Sequence, residues 1–305
     1  MAVPIASQRV LVGVAANVDV ILQDQDGEPA AAGGTVTVDV AQADGTVVAT
    51  AGATTAISGV TGGYRYALAA QSALALLSFT WKVGGVTRIT TLCDVVGGYY
   101  FTVAQVRTFD LSLADSTKYP NPLIQARRRE VEDECEWITR QAWVPRYRRR
   151  VIPGTGSDSL RLGVASPRTI RTVRVYNPDQ TTYTLLTATE LAALRITESG
   201  VVTRMDGSGW PAGQNITIEY EYGNDRPPSD LQHATLTRLR GRLNAERTGI
   251  PDRATSFTVG NAGGAGGVFT LATPGQRGAT TGIPEVDATY ERYAQRRAFA
   301  TLSIT

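Results

Sequence analysis

The stretch NPLIQARRREVEDECEWITRQAW, Asn121 to Trp143, constrains this chain more than any other. Asn121 suits an N-cap, because its side-chain oxygen can accept a bond from an orphan amide of the first turn. Pro122 then falls at the first helical position, where its missing N–H costs nothing. Apolar or small residues recur at Ile124, Val131, Cys135, Ile138 and Ala142, the three-and-four spacing of one buried stripe. The spacing predicts a helix over 121–143, about 33 Å long at 1.5 Å per residue. Its other faces carry arginines and acids in alternation. A helix with one narrow apolar stripe suits polar contacts elsewhere, so Arg128, Arg129, Glu132, Asp133, Glu136 and Arg140 are the expected subunit-interface residues.

The region before this helix has a different period. Val18, Val20 and Leu22, then Val36, Val38 and Val40, alternate with other residues. Asp26-Gly27, Asp44-Gly45 and Gly84-Gly85 supply turns between such runs. Tyr64, Tyr66 and Leu68, and Phe79, Trp81 and Val83, continue the pattern. These short strands predict an all-β sandwich of immunoglobulin type over 1–97, although the Cys-Trp-Cys framework of antibody domains is absent. The remainder, 98–305, is expected to be a mainly α helical bundle carrying an inserted β-sheet. Helices are predicted at about 102–108, 121–143, 229–246 and 284–297. The β-insert spans about 146–222, and a flexible loop spans 254–282. Thr102 with Gln105, and Ser229 with Gln232, have capping-box spacing.

With 305 residues, 42% of them hydrophobic and 19% charged, the chain can bury cores of two domains. The net charge of +2 gives no overall pull toward nucleic acid. Residues 1–100 hold four Arg/Lys against seven Asp/Glu, and the rest hold 26 against 21, a modest asymmetry. Cys93 and Cys135 read as buried free thiols. MAVPIASQRV lacks a basic start followed by a long apolar run, so no signal peptide is expected. The most apolar stretch, Leu68 to Phe79, falls below the roughly 18 residues that suggest a membrane span. The expectation is a soluble protein made in the cytoplasm, with no membrane partner.

Catalytic chemistry finds little to work with. His233 stands alone within the 229–246 helix, where it reads as a packing residue, and it leaves multi-histidine metal sites without ligands. Gly260 to Gly267 lacks the ending of a phosphate loop and the spacing of a dinucleotide fold. No catalytic residue, cofactor or metal is therefore expected. The run Arg146, Arg148, Arg149 and Arg150 interleaves an aromatic with positive charge. It is either a DNA-channel or interface surface, or an edge strand whose charges discourage aggregation. The last segment regains helical spacing, and Ile283, Pro284, Val286, Tyr290, Tyr293, Arg296 and Arg297 form an expected partner-binding arm, since tyrosine and arginine are enriched where interfaces concentrate energy.

From Tyr99 onward the chain resembles the head-to-tail adaptor proteins of long-tailed double-stranded DNA bacteriophages, also called connector or head-completion proteins. The resemblance lies in FTVAQVR, the KYPNP turn, REVEDECEWITRQAWVPR, GWPAGQNITIEYEYG, PPSDLQHATL and GIPEVDATYERY, about two thirds of the chain. It implies a structural, non-enzymatic protein of the virion neck. Its subunits, usually twelve, would form a ring beneath the portal protein that extends the DNA channel and meets a stopper or tail-completion protein. DNA would pass without sequence-specific binding, and the partner-binding arm would embrace the portal. The N-terminal sandwich lies outside the family pattern. The alternatives are a tail or capsid-surface adhesin whose sandwich binds a host ligand, and a hydrolase with a β-sandwich binding module.

Overall fold

In a computed structural model, residues 8–248, 254–259, 267–271 and 281–294 are described. Strands come first: β1 (Gln8–Leu11), β2 (Ala16–Ile21), β3 (Val36–Gln42), β4 (Val47–Ala53), β5 (Thr55–Ala56), β6 (Gly63–Leu68), β7 (Ala75–Val83) and β8 (Val86–Val96). Helices α1 (Val103–Phe109) and α2 (Asn121–Thr139) follow, with a 3-10 turn at Leu111–Ala114 between them. Then come β9 (Arg146–Pro153), β10 (Ser159–Arg161), β11 (Pro167–Tyr176), β12 (Tyr183–Leu185), α3 (Ala188–Ala192), β13 (Leu194–Ile196), β14 (Val201–Arg204) and β15 (Asn215–Tyr222). The chain continues with α4 (Ser229–Thr248), β16 (Ala254–Val259), β17 (Gly267–Leu271) and α5 (Pro284–Tyr293).

These elements divide into two compact units, one of residues 1–98 with 144–225 and one of 99–143 with 226–305. The expected boundary near 97–98 coincides with the first junction. The strands of 146–222, however, group with the N-terminal strands rather than with the helices.

The first unit contains two layered assemblies. One sheet runs β1-β8-β7-β3-β4 and a second runs β2-β6-β5. Period-two alternation builds both: Val36, Val38 and Val40 of β3 and Leu77, Phe79 and Trp81 of β7 are buried. They share one core with Val18, Val20, Leu22 and Leu68 from the other sheet. Burying each large apolar side chain contributes about 1.5–3 kcal/mol. The Trp81 indole N–H also finds Thr91 Oγ1 at 3.0 Å. Gly84 and Gly85 take φ of 57° and 85°, the positive values a tight two-residue hairpin needs. Two further sheets, β12-β11-β15-β9 and β10-β14-β13, enclose a second core of Leu160, Leu162, Val173, Val202, Trp210, Ile216, Ile218 and Tyr220.

In the second unit α1, α2, α4 and α5 pack together. The Thr102–Gln105 capping box forms with both bonds, at 3.1 and 2.8 Å. The other expected caps differ. Pro120, not Asn121, is the N-cap of α2, and Asn121 Oδ1 instead accepts from Arg107 at 2.8 Å. Gln232 donates to the carbonyl of Tyr100 rather than closing a box on Ser229.

Helix α2 also stops early. Arg140 adopts φ +59° and ends it, and Trp143 Nε1 then donates to Thr139 Oγ1 at 3.1 Å, turning the chain back over the last helical turn. Within the stretch read as a structureless loop, β16 and β17 pair antiparallel, with Phe257 opposite Phe269 and Thr258 opposite Val268.

Candidate functional site

Helix α2 uses two of its faces inside its own unit. On the first, Glu132 is fully buried and its Oε1 accepts the backbone N–H of Tyr100 at 3.0 Å. Arg128, also buried, donates to the carbonyl of Phe101 at 3.1 Å and lays its guanidinium 3.5 Å over the Tyr99 ring. Glu136 accepts from the Tyr100 hydroxyl at 3.3 Å. One turn of helix thus satisfies the polar groups of the segment leading into α1, as buried backbone requires. On the second face, Arg238 of α4 grips Glu134 through two bonds at 2.8 and 3.0 Å. Arg242 adds Glu134 at 3.1 Å, and Arg127 holds Glu130 at 2.7 Å.

This corrects part of the expected interface set. Arg128 and Glu132 are interior residues, and Glu136 is half-buried against Tyr100. They read as surface because their partners, the backbone of Tyr99 to Phe101, lie some thirty positions upstream. Arg129 and Asp133 are half-buried and Arg140 is exposed. Beside them stands Trp137, 61% exposed, with the Arg140 guanidinium 5.0 Å from its ring centroid. Sequence reasoning passed over Trp137. Its position off the Ile124–Val131–Cys135 stripe was the available signal, since an aromatic there has no core to enter.

Helix α5 belongs to the same interior, which corrects the reading of it as an arm. Val286 and Tyr290 are fully buried. Ile283 is half-buried and Pro284 is exposed. Tyr293 meets Trp143 edge to face at 5.2 Å and donates its hydroxyl to Asp230 of α4. Burial pushes the Tyr290 phenol and the neighbouring Cys135 thiol well above their usual ranges. Arg296 and Arg297 lie outside the described residues. His233 sits edge to face on Phe109 at 5.2 Å.

The basic strand is engaged within the first unit. Arg146, 2% exposed, donates to Asp94 at 3.1 Å. Arg148 lies 4.9 Å from the Tyr222 ring centroid. Arg149 donates to the carbonyl of Ala43 at 2.9 Å, and Arg150 to that of Leu162. Arg146 is therefore a buried structural cation, not a channel charge. The other three spend hydrogen bonds or ring contacts internally, although Arg149 and Arg150 keep exposed surface.

Glu219, at the centre of this sheet, accepts from Tyr147 at 3.0 Å and from Arg174. Burial, reinforced by that carboxylate, pushes the Tyr147 phenol up. The face carrying Glu219 and Glu221 turns toward the N-terminal strands, where Arg171 bonds both Glu221 and the carbonyl of Leu74.

Among the described residues, no cluster of three or more His, Cys, Asp or Glu is arranged to hold a metal ion. No described helix is long and apolar enough to cross a membrane.

No family model and no curated protein matches this chain. Among solved structures, it is similar to a chain in the neck of an empty GTA particle computed with C6 symmetry. The identity there is 15% and the TM-score 0.42, over 66% of this chain and 92% of that one. A chain in the virion of a native gene transfer agent (GTA) particle gives 17% identity and TM-score 0.44, over 66% and 92%. A chain in the neck of a native GTA particle computed with C12 symmetry gives 15% and 0.40, over 68% and 98%. The Lin-41 filamin domain matches 32% of this chain and 90% of its own, at 18% identity and TM-score 0.24.

Proposed function

We propose that this chain is a structural, non-enzymatic component of a phage neck. Its copies form a closed ring, of twelve on the family pattern, at the head-to-tail junction of the virion. The portal protein meets one side, a stopper or tail-completion protein meets the other, and DNA passes through without sequence-specific contact. The N-terminal sandwich is of immunoglobulin type and is an addition to the adaptor pattern.

The observation that carries the reading is Trp137. The segments through which the sequence resembles the adaptors form α1, α2, α4 and α5 of one unit, whose internal faces are filled by paired charge. What α2 leaves outside is a tryptophan beside an arginine, flanked by Arg129 and Asp133. Tryptophan and arginine are the types that dominate binding energy at interfaces, each contributing about 2 kcal/mol or more at a hot spot.

Native mass spectrometry of the wild type and of Trp137→Glu tests it. The wild type gives a closed oligomer, and the variant gives monomer with an unchanged melting temperature. A monomeric wild type at micromolar concentration, or a ring indifferent to the substitution, overturns the assignment.

A further inference from the structure

Strand β8 outruns its outer neighbour. β1 pairs with it in parallel only from Gln8 opposite Cys93 to Leu11 opposite Val96. Among the described residues, Val86–Thr91 therefore bond to β7 alone. Their other side is an open sheet edge, with backbone donors and acceptors directed outward and with Val86 63% exposed. Open edges are ordinarily guarded by charge, proline or a bulge. Here the guard is a bulge whose extra residue is Arg88: Trp81 opposes Ile89, and Lys82 opposes Thr87. A bulge re-aims its side chain.

Arg88 lines a groove of about 510 Å³, together with Val83 and Ile89 from this hairpin and Ile21, Leu22 and Ala32 from across it. That volume falls in the range of ligand sites, about 300–1,000 Å³. Asp24 also lines the groove, but its Oδ1 accepts the amides of Asp26 and Glu28 at 2.9 and 3.0 Å and so holds its own turn. Arg88 forms no ion pair or hydrogen bond among the described residues. The groove thus offers aliphatic walls, a free strand edge and one uncommitted cation.

We propose that this groove and the open edge of β8 bind an extended, apolar peptide segment of a partner protein that carries an acidic side chain. The segment adds as a strand along Val86–Thr91, its aliphatic side chains lie against Ile21 and Ile89, and its carboxylate meets Arg88. Main-chain pairing supplies affinity in such an arrangement, and the side-chain contacts supply selectivity. This surface is independent of Trp137 and of ring formation.

The test uses the full chain and two fluorescein-labelled eight-residue peptides of alternating valine and threonine, one with a central glutamate and one with a lysine there. Fluorescence anisotropy should show the glutamate peptide binding the wild type at least tenfold more tightly than the lysine peptide. Arg88→Glu should invert that order while leaving the melting temperature unchanged, because the side chain is exposed. Hydrogen exchange should show Val86–Thr91 newly protected in the complex. Failure of the glutamate peptide to bind, equal binding of both peptides, or an Arg88→Glu variant that keeps the wild-type preference each overturns the proposal.

Discussion

Tyr293 donates its hydroxyl to Oδ1 of Asp230 at 2.7 Å, while Arg292 reaches the other carboxylate oxygen at 2.9 Å. The tyrosine bond first, and the arginine charge after it, hold the Asp230 carboxyl below its ordinary range. A depressed carboxylate stabilises the fold above its unfolded pKa of about 3.9, and that contribution is lost as pH falls through the lower folded value. Tyr293→Phe keeps the ring against Trp143 and removes only the bond. It should destabilise the helical unit by about 0.5–1 kcal/mol at neutral pH, the range for a partly exposed hydrogen bond. The gap between variant and wild type should close below pH ~4. Urea titrations at pH 7 and pH 3 measure it, and an undiminished gap at pH 3 would show that the bond is not to the ionised acid.

Glu132 invites a larger effect. Its replacement by alanine leaves the buried Arg128 without its nearest acid, 3.9 Å away, and the Tyr100 amide without its acceptor. Breaking a buried charge pair from one side costs about 3–5 kcal/mol. Arg129→Ala, one position from Arg128 but half-buried, should stay within about 0.5 kcal/mol. The difference in chemical-denaturation midpoints between the two variants decides whether α2 is charged for assembly or for its own fold at these positions.

Arg146 and Asp94 join β9 to the strand that ends the N-terminal sheet. Arg146→Met should cost about 3 kcal/mol, because Asp94 is then left largely buried without its cation. Adding Asp94→Asn should recover a good part of it, a coupling that a double-mutant cycle reads directly. Calorimetry of the double variant checks this, and simple additivity would show the pair to be idle. The same contact argues that residues 1–97 expressed alone will melt below the temperature at which they melt in the full chain.

Local chemistry was legible in the sequence and distant chemistry was not. The Thr102–Gln105 box formed as read because both partners lie within one turn. The period-two runs at Val36–Val40 and Phe79–Trp81 became central strands because alternation alone decides which side is buried. Arg128 and Glu132 misled because an ionic helix face looks the same from sequence whether it meets water or a backbone thirty residues away. The arginines of β9 misled for a related reason. Their acceptors are carbonyl oxygens at Ala43 and Leu162, groups that every residue owns and no composition reveals. Tyr290 and Val286 have the spacing of a docking helix, and the sequence does not say that the dock is α2 and α4 of the same chain. The early stop of α2 at Arg140 left no glycine to mark it.

The central strand β15 has a consequence for how this molecule avoids folding wrongly. Its even positions, Ile216, Ile218 and Tyr220, enter an apolar core, while Glu219 on the opposite side is held by Tyr147 and Arg174. Sliding β15 by one residue against β9 and β11 would thrust Glu219 among Leu160 and Trp210 and would face three arginines with isoleucine. Both sides of the sheet would object at once. Misaligned hairpins at this site should therefore be too short-lived to accumulate, and the strand that looks most polar on one side serves as the chain's own proofreader.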